Sequence, residues 1–194
     1  MSSHFYAYMF RLRYIERWSL MRNTMKENVA EHSYHVALLT HALCTIGNEL
    51  FGKSIPTERV VTMSLFHDAT EVFTGDIPTP VKHQNDEILK NFRHIEGLAA
   101  ERLLRMVPSE LQQVYEPLIA GSPEPDPYKM YVKAADLLDA YLKCSMELSA
   151  GNREFARAKK QIEESVQALQ MEELNWFIEH LAPSFEKTLD ELSE

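Results

Sequence analysis

The stretch that decides the fold is VVTMSLFHDATEVFTGDIPTPVK, residues 60–82. Its first part is apolar, and it then carries His67, Asp68 and Glu71. A helix through this region would place all three side chains on one face, because residues three and four positions apart are helical neighbours. Gly75 and two closely spaced prolines then end the helix. The pattern predicts a buried helix whose polar end requires a binding partner, followed by a rigid loop.

Length and composition are those of an ordinary globular protein. The chain has 194 residues, 45% hydrophobic and 25% charged, which favours one domain over residues 1–194. The formal net charge of −9 argues against general affinity for nucleic acid. Cys44 and Cys144 lie in helical patterns and are typical of buried thiols in a reducing compartment. No membrane span and no signal peptide is recognisable, so we expect a cytoplasmic protein.

Apolar residues recur at helical spacing along the chain, whereas the alternation typical of strands is absent. We therefore predict an all-α fold, with helices over residues 5–18, 28–50, 60–74, 86–107, 108–121, 128–150, 152–169 and 172–193. In the second helix Asn28 and Glu31 have the spacing of a capping box. Its core stripe is expected to comprise His32, Val36, Leu39, Leu43, Ile46 and Leu50.

Four polar side chains lie where burial without a partner would be costly. His32 and Asp136 each occupy the apolar stripe of a helix, and His67 and Asp68 follow the apolar part of another. Together they offer two nitrogens and two oxygens from three helices. Manganese, cobalt, iron, nickel, copper or zinc fits that set, whereas magnesium would require more oxygens. Taken singly each is weaker, because a lone histidine in a helix stripe is more often a satisfied core residue.

The order of these residues resembles a known family. His32, then His67-Asp68, then Asp136 resembles the H…HD…D signature of the HD-domain metal-dependent phosphohydrolases. Longer blocks are similar to the bacterial HD-domain 5′-deoxynucleotidases of the YfbR type: RW (17–18), ENVAEHS (27–33), HDATEVFTGDIPTPVK (67–82) and KAADLLDAYLKC (133–144). The resemblance extends from the first helix to PSF at residues 183–185.

The resemblance implies an HD-domain helical bundle that hydrolyses 2′-deoxyribonucleoside 5′-monophosphates to a deoxyribonucleoside and inorganic phosphate. It also implies a homodimer with one cobalt or manganese ion per subunit, held by His32, His67, Asp68 and Asp136. Glu71 would be the catalytic carboxylate, and Arg17 would orient the phosphate. The side chains expected to contact the substrate are Arg17, Trp18, His32, Asp68, Asp76, Ile77, Pro78, Thr79 and Asp136.

Trp18 directly follows the expected phosphate anchor. We therefore expect its ring to close against the sugar where a 2′-hydroxyl would project, which would exclude ribonucleotides sterically. No motif addresses the edge of the base, so little base preference is expected. By residue type alone, Trp18 would be a core aromatic, Glu71 a solvated helix carboxylate and the loop at 75–80 a helix terminator.

Three alternatives remain open from the sequence. A phosphohydrolase for another nucleotide, such as a triphosphate, would require more basic residues near the motifs than Arg17, Arg22 and Lys82. A di-iron HD oxygenase would require further histidines before Asp136, where only His83 and His94 occur. A non-catalytic HD module that binds a nucleotide or a partner protein usually lacks a ligand or the catalytic carboxylate, and none is missing here.

Overall fold

A computed structural model describes residues 3–82, 84–121 and 124–193, and the side chains of Thr79 and Pro80 lie outside this description. Every regular element in the described residues is helical. The only β-type pairing in these ranges is an isolated antiparallel bridge between Glu16 and Asn28. The predicted all-α class is therefore confirmed.

Eleven α-helices are assigned in the described residues: α1 Phe5–Met9, α2 Val29–Phe51, α3 Thr57–Ser64, α4 Glu71–Thr74, α5 Thr79–Lys82, α6 Asp86–Leu104, α7 Ser109–Ile119, α8 Lys129–Ser149, α9 Ala156–Leu169, α10 Glu172–His180 and α11 Leu189–Leu192. Three short 3₁₀ helices accompany them, at Phe10–Tyr14, Arg153–Phe155 and Ala182–Glu186. None of the helices in the described ranges combines the length and apolar character needed to cross a membrane.

By their contacts, the described residues fall into two units. The first comprises Met1–Leu20, Lys26–Tyr34 and Leu65–Asp126, and the second comprises Met21–Met25, His35–Ser64 and Pro127–Glu194. Each unit has its own hydrophobic core.

The core of the first unit is small and rich in aromatic side chains. Phe5, Ala69, Leu103 and Val107 are buried at its centre, and Phe66 packs against them. Phe66 and Ala69 flank His67-Asp68 in the sequence, and the apolar contacts of these two residues anchor the segment that carries the polar pair. This packing sets the position of His67 and Asp68 within the first unit.

The core of the second unit is built mainly from α2, α8 and α10. Val36, Leu43, Leu138 and Leu174 are buried there, and both cysteines are buried free thiols as expected. The predicted stripe of α2 is buried through Ile46, but its last member, Leu50, is 53% exposed. That part of the prediction is wrong because Leu50 lies in the final turn of the helix, outside the packed core.

A buried ion pair fixes the segment Met21–Met25 within the second unit. Lys143 Nζ lies 2.5 Å from Glu147 Oε1, and both side chains are almost inaccessible to solvent. Glu147 also accepts hydrogen bonds from the backbone N–H and the hydroxyl of Thr24, at 2.9 and 2.7 Å. Burial raises the pKa of Glu147, but the hydrogen bonds from Lys143, Thr24 and Asn152 outweigh it and lower the pKa to about 2.

Candidate metal and phosphate site

A short antiparallel pairing positions Arg17. The backbone N–H of Arg17 donates to the carbonyl of Glu27 at 2.9 Å, and the N–H of Val29 donates to the carbonyl of Ile15 at 3.0 Å. The predicted helix over residues 5–18 is therefore wrong beyond Tyr14, because residues 15–17 are extended and pair with residues 27–29.

Trp18 adopts a backbone conformation that is uncommon for a large side chain. Its φ is +55°, in the left-handed region where Cβ crowds the following carbonyl. Such strained residues persist where the surrounding structure holds them, and they cluster at functional sites. The pairing that ends at Arg17 provides this hold on one side of Trp18, and the half-buried indole lies next to Arg17 in the chain.

The N-terminus of α2 carries the first candidate metal ligand. Asn28 Oδ1 accepts the N–H of Glu31 at 3.0 Å, and Glu31 Oε2 accepts the N–H of Asn28 at 3.1 Å. This confirms the predicted capping box, which satisfies helix donors that otherwise lack partners. His32 follows on the first turn and is completely buried.

The HD pair lies in a turn and not in the predicted helix over residues 60–74. Helix α3 ends at Ser64, whose buried hydroxyl donates to the carbonyl of Val61 at 2.8 Å and so competes with the helix backbone. Residues 65–70 then form successive turns with i→i+3 hydrogen bonds, including Glu71 N–H to the carbonyl of Asp68 at 3.0 Å. Glu71 begins the short helix α4.

The structure brings His32, His67 and Asp68 together, and we call these three residues the ligand cluster. Asp68 Oδ2 lies 3.3 Å from His32 Nε2 and 3.1 Å from His67 Nε2, and the two Nε2 atoms are 3.2 Å apart. Ligands about 2.1 Å from one ion are about 3.0 Å apart at a right angle and about 3.4 Å apart at a tetrahedral angle. The three atoms are therefore spaced as donors to a single divalent ion.

Electrostatics keep the cluster carboxylate ionised. Burial raises the pKa of Asp68, but hydrogen bonds and charge interactions with His32 and His67 hold it well below the usual range of a carboxyl group. An ionised carboxylate beside two imidazoles is a donor set suited to imidazole-binding first-row metals.

Glu71 has the opposite electrostatic environment. Burial, followed by the negative charges of Asp68 and Asp76, raises its pKa from 4.5 to about 9. Its Oε2 atom is buried and forms no hydrogen bond with the described residues. Two neighbouring carboxyl groups with widely separated pKa values are typical of acid–base sites.

Arg17 places a cation against the ligand cluster. Its Nη1 lies 3.0 Å from Glu27 Oε2 and 2.5 Å from His32 Nδ1. The positive charge of Arg17 also lowers the pKa of Glu71, although by less than the factors that raise it. A guanidinium in this position is suited to a phosphate group bound at the cluster, because its planar fork matches phosphate oxygens.

The loop after α4 approaches the same region. Gly75 has φ +70°, and its N–H donates to the carbonyl of Glu71 at 2.8 Å, so the chain turns sharply there. Asp76, Ile77 and Pro78 are half-buried, and the charge of Asp76 acts on Glu71. Thr79, another expected substrate contact, has a side chain outside the described part of the structure.

Two further predictions concern residues elsewhere in the chain. Asp136 is half-buried on α8, in the second unit, and its role as a metal ligand stays a prediction. Of the histidines that a di-iron site would require, His94 is exposed on α6 and joins no group of metal-ligand side chains among the described residues. His83 lies outside the described residues.

Sequence reasoning missed Glu27 as a site residue. The residue was visible only as the first letter of the ENVAEHS block, and a glutamate before a helix cap has no distinctive spacing. Its pairing with Arg17 depends on the turn of the chain between residues 17 and 27, which no helical periodicity predicts.

The fold resembles solved HD-domain structures. An HD-domain phosphohydrolase from Listeria innocua superimposes with a TM-score of 0.82 at 22% identity, over 94% of this chain and 88% of that one. The cyanophage S-2L HD phosphohydrolase DatZ, bound to dA and one catalytic Zn²⁺ ion, superimposes with a TM-score of 0.63 at 20% identity, over 92% and 96% of the two chains. The architecture is thus that of the HD-domain class.

Within that class, the chain belongs to the YfbR-like 5′-deoxynucleotidase family, whose model matches residues 4–185. The 5′-deoxynucleotidase YfbR of Escherichia coli O127:H6 is 48% identical over 192 residues, covering 99% of this chain and 96% of that protein. The protein of the same name from Shigella boydii serotype 18 is 47% identical over the same coverage. The predicted family and the predicted class, a phosphoric monoester hydrolase, are confirmed.

Proposed function

We propose that this protein is a metal-dependent hydrolase that converts 2′-deoxyribonucleoside 5′-monophosphates to deoxyribonucleosides and inorganic phosphate. The observation that carries the proposal is the ligand cluster, with three donor atoms 3.1–3.3 Å apart and the half-buried Glu71 beside it. Membership of the YfbR-like family supports the choice of substrate.

The metal is proposed to be one divalent ion per subunit. His32 and His67 supply imidazole nitrogens and Asp68 an ionised oxygen, and Asp136 stays the predicted fourth ligand. This mixed set favours cobalt or manganese, and it also accommodates zinc, nickel, iron or copper. When bound, such an ion supplies Lewis-acid polarisation of a phosphoryl oxygen and acidifies a water toward neutral pH.

Glu71 is proposed to move the proton. Its pKa of about 9 in the metal-free chain means that the carboxyl group holds a proton at neutral pH and has one to give to the leaving 5′-oxygen. A further positive charge near Glu71, in addition to that of Arg17, would lower the pKa of Glu71. The carboxylate would then accept a proton from the attacking water instead of giving one to the leaving 5′-oxygen.

Arg17, Trp18 and the segment at residues 76–79 are proposed to hold the substrate. Arg17 binds the phosphate through charge-assisted hydrogen bonds. The indole of Trp18 closes against C2′ of the sugar, where it excludes a 2′-hydroxyl. Asp76, Ile77 and Pro78 form a loop stiffened by proline, and Thr79 follows as the first residue of α5, which suits fixed contacts to the sugar and phosphate.

Two further properties, the cellular location and the oligomeric state, belong to the proposal. The two buried free thiols are those expected in a reducing compartment, which supports a cytoplasmic location. A homodimer is proposed from the family resemblance, and size-exclusion chromatography with light scattering would test it.

Phosphate release measured over a panel of nucleotides and metals tests the function. We expect the chelated protein to be inactive, and cobalt or manganese to restore hydrolysis of deoxyribonucleoside monophosphates better than magnesium does. Di- and triphosphates and ribonucleotides should be poor substrates. Equal activity with chelator present, or a preference for triphosphates, would contradict the proposal.

Exchanging Trp18 for Ala is expected to relax the discrimination against ribonucleoside monophosphates. Removing the indole opens space for a 2′-hydroxyl, so the ratio of kcat/KM for deoxy- over ribonucleotide should fall by about tenfold or more. Leu20→Ala is a matched control, because Leu20 is an exposed side chain two residues away. An unchanged ratio in the Trp18 variant would exclude the steric account.

A further inference from the structure

We propose that Glu27 is a positioning residue for the reaction: its carboxylate holds the guanidinium of Arg17 beside the ligand cluster, in the orientation that a bound phosphate requires. This inference rests on the proposed function, since it assigns Glu27 a role at the same site. Glu27 does not itself have to touch the substrate.

The side-chain pair is enclosed. Arg17 Nη1 and Glu27 Oε2 are 3.0 Å apart, and the two side chains are only 12% and 10% exposed. Solvent and salt screen such a pair weakly, so the carboxylate constrains the guanidinium strongly. The neighbouring pair Lys26–Glu16 has a similar distance, 2.8 Å, but side chains that are 78% and 57% exposed. Exposed ion pairs of this kind contribute little to stability.

Glu27 also holds the backbone of Arg17. The backbone N–H of Arg17 donates to the carbonyl of Glu27 at 2.9 Å, in the pairing that includes the Glu16–Asn28 bridge. Glu27 therefore binds Arg17 twice, at the backbone N–H and at the guanidinium. A long arginine side chain otherwise samples many rotamers and loses that freedom when it binds an anion.

The pair determines where the cation lies relative to the metal ligands. The same Nη1 that contacts Glu27 also lies 2.5 Å from Nδ1 of His32. His32 Nε2 is one corner of the ligand cluster, 3.3 Å from Asp68 Oδ2. The imidazole ring thus lies between the guanidinium and the cluster, and a shift of Arg17 would move the positive charge away from a phosphate bound there.

The test is a double-mutant cycle of Glu27→Gln and Arg17→Ala. Glu27→Gln preserves shape but removes the charge, and we expect kcat/KM for deoxyribonucleoside monophosphates to fall by about 10²-fold, as for other misplaced site groups. In the Arg17→Ala background the same change should have no further effect, because Glu27 acts only through Arg17. Glu16→Gln, which breaks the exposed Lys26–Glu16 ion pair in the same antiparallel pairing, should leave kcat/KM unchanged.

Calorimetric titration with inorganic phosphate, in the presence and absence of manganese, provides a readout independent of turnover. Glu27→Gln should weaken phosphate binding only where Arg17 is present. If Glu27→Gln does not fold, as thermal melting would show, Glu27→Asp enters the same cycle with the same criterion of non-additivity.

A wild-type kcat/KM in Glu27→Gln would overturn the positioning role. A double variant whose loss of kcat/KM equals the product of the two single losses would overturn it as well. If the wild-type protein hydrolyses no deoxyribonucleoside monophosphate, the proposed function fails on its own. The phosphate titrations then decide separately whether Glu27 acts through Arg17.

Discussion

Replacing Glu71 with Gln is expected to reduce hydrolysis of deoxyribonucleoside monophosphates by about 10³-fold, within the range attributed to a positioned acid or base. Gln has nearly the same shape but carries no transferable carboxyl proton. Binding of manganese and of nucleotide should persist, because the three donor atoms of the ligand cluster come from other residues. Steady-state kinetics and calorimetric titration of metal and nucleotide measure the two effects separately.

Glu164→Gln is the control for the Glu71 variant, since Glu164 is an exposed glutamate on α9. It should retain wild-type turnover. Full activity in Glu71→Gln would remove Glu71 from the mechanism, and loss of metal binding in that variant would assign Glu71 to the ligand set.

The same variant should reveal the pKa of Glu71 through stability. In the metal-free protein the pKa is about 9 when folded, against 4.5 for the ordinary group. Between these values the folded chain binds more protons than the unfolded chain, so the free energy of unfolding falls as the pH rises from 4.5 to 9. Glu71→Gln lacks this dependence. Its stability relative to wild type should therefore increase from pH 4.5 to pH 9 in chelator, and a constant difference would contradict the raised pKa.

Replacing Asp68 with Asn is expected to abolish metal-dependent activity and to weaken metal binding by more than about 10²-fold. This loss is larger than the one caused by mutating residues that only contact the metal ligands. Asp68 Oδ2 is within 3.3 Å of both imidazole Nε2 atoms, and it supplies the only carboxylate of the cluster. The neutral amide cannot replace that charge. Calorimetric titration with manganese or cobalt measures the loss of affinity directly.

Asp86→Asn is the control for the Asp68 variant, because Asp86 is an exposed aspartate at the start of α6. It should bind metal as the wild type does. Wild-type metal affinity in Asp68→Asn would show that the ligand cluster is not the metal site, and the hydrolase mechanism built on it would fall.

Features governed by neighbouring residues were predictable from the sequence. The capping box of Asn28 and Glu31 and the buried stripe from His32 to Ile46 follow from helical geometry, which depends only on residues three and four apart. Helix α2 and helix α8 accordingly begin and end within one or two residues of the predicted bounds. The family followed from four motif blocks in order.

The same reasoning failed where the chain leaves helical geometry. Helical spacing predicts a helix through residues 15–17, but pairing with residues 27–29 makes these residues extended. Residues 65–70 form turns after the hydroxyl of Ser64 bonds to the carbonyl of Val61. Tertiary hydrogen bonds and packing outweigh the small differences in local propensity at such positions.

The sequence by itself determined the helical class and the family and predicted the residue types of a candidate metal site, because periodicity and motif order are properties of the linear chain. Only the tertiary structure decided which atoms meet: His32 and His67 are 35 positions apart, yet their Nε2 atoms lie 3.2 Å from each other. It also decided that Glu27 faces Arg17 and that the half-buried Glu71 lies within reach of the negative charges of Asp68 and Asp76. Distances and pKa values of this kind depend on packing between segments remote in sequence, which no local pattern encodes.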